Sequence, residues 1–378
     1  MNPYTQKPTL KTNTMKPETT EIPSLVSKLF NLPYLQKTRY RWVDYIKGIA
    51  ILLVVYRHVL IGIERSGIAV SEYMKHANMI FYSFRMPLFF ILSGIFISAS
   101  LAKRSFKQLT GLKFELLLYP YLVWVFLQIT FQILLSHYTN SNRSWIDYTY
   151  IFYQPRNLDQ FWYLPALFNV TIVYAFLKQK LKIAIEYQLI LGMILYYVSM
   201  WVREISILSD WMDFYIFFAI GDAFSNLLFK EKTQRNLKSI CVLILTIPLF
   251  LIAQIYFLKQ PETIFYETII GKTSFIFVSL IGCFFMFILS FRLEQVNRFH
   301  FLRIIGAHSL YIYVMHVFIS SFVRMLFTRV FHITDAATLL ISGIIISILA
   351  SIIIYNLLIR RGIFWFLLSY RKNGPAVT

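Results

Sequence analysis

The chain has 378 residues, 57% hydrophobic and 18% aromatic, with a mean hydropathy of +0.59 and a formal net charge of +19. A water-soluble domain of this length keeps a more polar surface, so the composition excludes an ordinary soluble enzyme. Two cysteines, Cys241 and Cys283, lack metal-site spacing and fall in apolar stretches, which excludes a disulfide framework and predicts buried small apolar side chains.

In chain order, residues 1–40 form a polar tail rich in Pro, Thr and Lys, whose first twenty or so residues read as disordered. The segment SLVSKLFNLPYLQKTRY (24–40) predicts a short helix on a membrane surface. Apolar runs of about twenty residues follow, the length that crosses a bilayer as a helix. They cover 46–64, 79–101, 115–136, 161–178, 184–202, 211–229, 239–258, 273–291, 304–327 and 336–358. The first is too long for a signal-peptide core and no small-residue cleavage site follows it, so it is expected to be retained. The predicted fold class is all-α: a polytopic transmembrane bundle of about ten spans over residues 41–360.

Most of the 37 Lys and Arg fall in the N-terminal tail and in the alternate loops that share its side. The positive-inside rule then places both termini in the cytoplasm, and accounts for the net charge without nucleic acid. The stretch GIFWFLLSY (362–370) is too short to span and reads as an aromatic anchor within a short cytoplasmic tail, 361–378.

Ionisable residues inside spans carry the functional signal, because charge in hydrocarbon is expensive. Lys47 and His58 in the first span are eleven residues apart, about three turns, so they share a helix face roughly 16 Å apart along the axis. Lys47 sits at the cytoplasmic edge, where snorkelling also explains a cation. His58 lies too deep for that. Arg57 and, in the second span, Arg85 lie at a similar depth and call for an anionic partner: Glu64, Glu72 or a ligand. The ninth span carries Ser309, Tyr313 and His316 on one face, a polar stripe that either glues helices together or lines a chamber. Pro120 is expected to kink the third span. Trp162 and Tyr163 open the fourth as an interfacial belt or as part of a site. Asp213 reads as a solvated residue near the outer edge, while Asp222 has no role legible in the sequence. No phosphate loop, H-E-x-x-H or G-x-S-x-G occurs.

Several segments, taken together, resemble the acyltransferase 3 family of integral-membrane O-acyltransferases, particularly members that modify bacterial surface glycans. KGIAILLVVYRH is similar to that family's basic-x10-His signature, with Lys47 where Arg is usual. FRMPLFFILSG (84–94), LYPYLVW (118–124), FWYLPALF (161–168) and IGAHSLYIYVMH (305–316) follow in the family's order. The resemblance implies a cytoplasmic acyl-CoA donor, with acetyl-CoA expected, and a polysaccharide or lipid-linked oligosaccharide acceptor across the lipid bilayer. It also implies a multi-pass protein of the bacterial inner membrane, with 41–360 as the acyltransferase domain. No metal is needed, because a thioester is already activated. His58, Arg85 and His316 are the candidate catalytic residues, with His58 as base or acyl relay. Arg85, Tyr313 and Ser309 are candidate oxyanion donors. Lys47 is expected to hold a CoA phosphate; Arg57, Trp162, Tyr163, Ser309 and Tyr313 are candidate substrate contacts. The expected geometry is one chamber shared by His58, Arg85 and His316, open to the cytoplasm near Lys47 and to the far side near Trp162. The rival reading is a transporter or flippase of a lipid-linked sugar or small anion, since deep His and Arg also suit ion pathways. No obvious repeat between the halves supports it.

Overall fold

The computed structural model describes residues 25–30, 40–136, 143–261, 263–360 and 362–372. Among them there is no strand; the chain is helices joined by turns. Helix α1 is Leu25–Phe30. The tail at 1–24, the remainder of the expected surface helix at 31–39, and residues 373–378 lie outside the described residues. Then come α2 (Arg41–Arg65), α3 (Glu72–Lys103), α4 (Phe106–Leu134), α5 (Pro155–Lys180), α6 (Ile185–Val202) and α7 (Ser206–Leu228). After these follow α8 (Glu231–Leu237), α9 (Ile240–Lys259), α10 (Ile269–Val296), α11 (His300–Ala307), α12 (Ser309–Arg329) and α13 (Ala336–Ile359).

Among the described residues, nine helices are long and apolar enough to cross a membrane. Helices α7 and α8, bent by 104° at their junction, meet the same criterion as a pair, which brings the candidate spans to ten if the pair is one span. Burial sorts them radially. In α3 and α10, 61% of the apolar window is buried, against 22% in α6 and 28% in α9, so the former are central and the latter peripheral. Peripheral helices present side chains such as Leu245 and Ile252 outward, and Cys241 is exposed at the start of α9. Only Cys283 of the two cysteines is buried, because α10 lies deeper.

Lipid tails are as apolar as leucine, so helices associate in a membrane by close packing more than by burial. Here glycines supply that packing. A Cβ on Gly48 would stand 2.0 Å from the Leu302 carbonyl oxygen, and one on Gly306 1.9 Å from that of Asp44. Backbones of α2 and α11 therefore touch. Gly94 and Gly221 do the same for α3 and α7, with 2.0 Å to the Phe218 oxygen and 2.1 Å to that of Ile91.

One expectation is corrected by this packing. The ninth span is two helices, broken at His308, whose Nδ1 donates to the Ile304 carbonyl at 2.7 Å and whose Nε2 faces the Asn356 amide at 3.0 Å. Pro120 lies inside α4, which runs unbroken through a π turn at Phe114–Leu118 directly before it. Asp222 is a packing residue: it pairs with Lys178 and accepts from Ser98 at 2.5 Å and Tyr174 at 2.6 Å. The aromatic tail segment docks as expected for an anchor. The carbonyls of Phe366 and Leu367 accept from the Tyr119 hydroxyl at 2.7 Å and from the Trp124 indole at 2.9 Å.

Candidate active site

The crossing of α2 with α11 brings the following helix, α12, alongside α2. There His58 meets His316, with ring centroids 5.1 Å apart in an edge-on arrangement. His58 Nδ1 lies 2.9 Å from the Val54 carbonyl, one turn back on its own helix. His316 Nδ1 lies 2.9 Å from the Ile312 carbonyl and 2.8 Å from that of Tyr313. A carbonyl only accepts, so Nδ1 carries the hydrogen in both rings and Nε2 of a neutral ring keeps its lone pair. His316 is fully buried and its Nε2 has no hydrogen-bond partner. His58 is half-buried and lines two cavities.

The smaller cavity, about 100 Å³, contains Arg57, His58, Arg85, Arg156, Trp162 and Lys272 in its wall. Arg85 is almost completely buried and donates to the Leu53 carbonyl at 3.0 Å and the Asn78 side-chain oxygen at 3.4 Å. Two guanidiniums approach the Tyr82 ring, Arg57 at 4.9 Å and Arg85 at 5.8 Å from its centroid, and its hydroxyl meets that of Tyr266 at 2.5 Å. Glu64 and Glu72, the carboxylates expected to neutralise these arginines, instead flank Lys75 at 3.9 and 2.8 Å on the exposed connection between α2 and α3. Backbone and side-chain oxygens and the tyrosine face solvate Arg85 in their place.

Two ion pairs, Lys272–Asp213 buried and Arg156–Asp210 with an exposed arginine, complete this wall. Lys272 donates to Asp213 at 2.6 Å and to Ser199 at 2.5 Å, with its ammonium 4.2 Å from the Tyr196 ring centroid. Asp213 is thus held by a partner, which corrects its reading as a solvated residue. Arg156 pairs with Asp210 and lies 4.4 Å over the Trp162 ring. These four charged residues escaped sequence reasoning. Lys272, Arg156 and the aspartates fall near span ends, where a snorkelling or solvated charge leaves the same mark in the sequence.

The larger cavity, about 580 Å³, lies between α2, α4 and α12 at the end of the bundle that carries Arg65. It shares Arg57, His58, Arg156 and Trp162 with the smaller one, so the segment from Arg156 to Trp162 divides them. That segment turns through Asp159 at φ 58° and ψ −115°, unusual for a residue with a Cβ. Asp159 is fixed there by Arg65 at 2.7 Å and the Gln128 amide at 3.4 Å.

Of the predicted site residues, His58, Arg57, Arg85, Trp162 and Tyr313 line one cavity, and His316 backs it through His58. Tyr313 has its hydroxyl committed to the Gln160 carbonyl, so it is not a free oxyanion donor. Tyr163 is buried beneath the cavity against Phe89, Phe90 and Tyr313, with centroids 5.7, 5.4 and 5.5 Å away. Ser309, seven residues from His316 and about 10 Å along the helix, lines neither cavity. Lys47 lines neither as well; it lies within electrostatic reach of Lys113. Toward Lys47, the wall of the smaller cavity reaches Val54 on α2, and beside it Tyr163 packs between Phe89 and Tyr313.

A membrane-crossing helical bundle with paired imidazoles and buried cations at its centre defines the class. Residues 40–356 match the family model for the acyltransferase 3 domain, described as an acyltransferase domain, and the chain belongs to that family. It is therefore a multi-pass membrane acyltransferase. Comparisons with curated proteins and with solved structures gave no match.

Proposed function

We propose that the chain transfers an acyl group, acetyl in the first instance, from acyl-CoA to a hydroxyl of a cell-surface polysaccharide or its lipid-linked precursor in a bacterial inner membrane, with His58 as base. One observation carries this reading: His58 has its Nδ1 hydrogen committed to Val54 and its ring at the wall of both cavities. The Nε2 lone pair is then available to an incoming group. A sugar hydroxyl is a weak nucleophile near neutral pH and needs its proton removed as it attacks.

In the proposed reaction the acceptor oxygen attacks the thioester carbonyl while its proton passes to His58 Nε2. The tetrahedral oxyanion lies toward Arg57 and Arg85, whose charges close to the Tyr82 ring favour it. Collapse breaks the C–S bond, and the imidazolium returns the proton to the CoA sulfur. His316, buried behind His58, is a positioning residue whose electrostatic field and packing fix the working ring. We place the donor's phosphates near Lys47, Arg104 and Lys113, which lie within electrostatic reach of one another at the other end of α2.

In membranes supplied with labelled acetyl-CoA and surface glycan, His58→Ala should lower turnover at least about a hundredfold, the range for loss of a general base. His316→Ala should cost less. Near wild-type glycan acylation by His58→Ala sinks the proposal. Label retained on the protein when acceptor is withheld, and absent in His58→Ala, assigns Nε2 as a covalent acyl carrier instead of a base.

A further inference from the structure

The larger cavity has more positive charge than its surroundings explain. Arg57, Arg65, Arg156, Arg324 and Arg329 face it, against Asp159 as the acid in its wall. Three of these have a local reason to be there. Arg65 pairs with Asp159 and Arg156 with Asp210. Arg329 ends α12, where the helix dipole favours a cation. Arg324 and Arg57 are different. Each lies more than one turn from the end of its helix, beyond the reach of the terminal dipole. Neither has an acidic partner among the described residues. A lone guanidinium within a span costs at least a few kcal/mol unless water or a counter-charge meets it.

The berth of Arg324 is also built. A Cβ on Gly62 would stand 2.2 Å from its Nη1 atom, so the absence of a side chain at position 62 lets the guanidinium lie across α2, facing the cavity. Around it the wall mixes hydroxyls and amides (Ser320, Ser321, Gln128) with aromatic rings (Phe131, Phe318, Trp162). Such a wall suits a sugar, whose polar rim and apolar ring faces need both, and the volume lies within the range of small-molecule sites.

We propose that the acceptor bound in this cavity carries a fixed anion, a carboxylate or phosphate group near the hydroxyl that is acylated, and that Arg324 and Arg57 hold it. The inference rests on acyl transfer at His58, because that residue joins the cavity to the reacting centre. A charge-assisted contact of this kind contributes about 1.5–3 kcal/mol, enough to select charged from neutral glycans by one to two orders of magnitude. Carboxylates come from acidic sugars and phosphates from the link to a lipid carrier; both offer the same chemistry to a guanidinium.

The test uses the purified full chain in detergent, with thermal unfolding followed at constant ionic strength while glucuronate, inorganic pyrophosphate, glucose or CoA is added. Saturable stabilisation by glucuronate or pyrophosphate, and none by glucose, is expected; whichever binds more tightly identifies the source of the anion. Arg324→Gln should weaken that binding at least about tenfold. Gly62→Ala, which keeps the charge but displaces the guanidinium, should weaken it severalfold and covers the case in which Arg324→Gln fails to fold. Equal binding by wild type and both variants, equal stabilisation by glucose, or displacement of glucuronate by CoA overturns the assignment. Anion binding that depends on Arg324 in a protein whose His58→Ala variant still transfers acetyl leaves this site standing and removes His58 as the base.

Discussion

At the scale of residues, depth in the membrane decides what a sequence reveals. His58, Arg85 and His316 were legible because a titratable group in the middle of an apolar run has no inexpensive alternative explanation. The structure gathers them around one cavity. Arg156, Lys272, Asp210 and Asp213 were not legible, since near a span end a charge can reach water and carries no message. Their pairing is a property of three different helices meeting, which no local pattern encodes. Lys47 belongs to the ambiguous group. If it holds a CoA phosphate, Lys47→Ala should raise the KM for acyl-CoA at least severalfold while changing kcat little, and Lys47→Arg should retain most of the donor affinity. Steady-state transfer at varied acyl-CoA checks this, and an unchanged KM in Lys47→Ala assigns the residue to snorkelling.

At the scale of elements, hydropathy located the spans, with boundaries off by up to nine residues, since length and apolarity are imposed by the bilayer. It did not disclose the break at His308 or the π turn before Pro120. Both leave an apolar run uninterrupted in the sequence. The glycine contacts were equally silent: Gly48 and Gly306 become meaningful only when α2 and α11 are seen to cross there. They set the approach that carries His58 to His316. Gly306→Val should therefore push the helices apart and cost about 1–3 kcal/mol, the range for overpacking a tight contact. Thermal unfolding in detergent checks the stability. Activity should fall further than stability alone explains, because the pair of imidazoles separates. A Gly306→Val protein with wild-type melting and wild-type turnover contradicts this role for the crossing.

At the scale of the whole molecule, the two ends of the bundle differ in kind. Toward the Lys47 end, α2 and α11 pack backbone to backbone at Gly48 and Gly306. The Arg65 end opens into a large cationic cavity that reaches His58. Under the proposed reaction, a cavity of this width at the Arg65 end suits a glycan acceptor. The sequence anticipated two sides from its charge bias, but counting residues along helices gives depth without showing what occupies the space between them. The central claim is that the acyl group crosses at His58 while CoA stays behind. It is tested most directly in sealed vesicles of uniform orientation, with labelled acetyl-CoA on the Lys47 side and acceptor glycan on the other. The account predicts label on the glycan, free CoA only on the donor side, and no transfer with His58→Ala. Transfer only when donor and acceptor share a side, or equal transfer by His58→Ala, would contradict it.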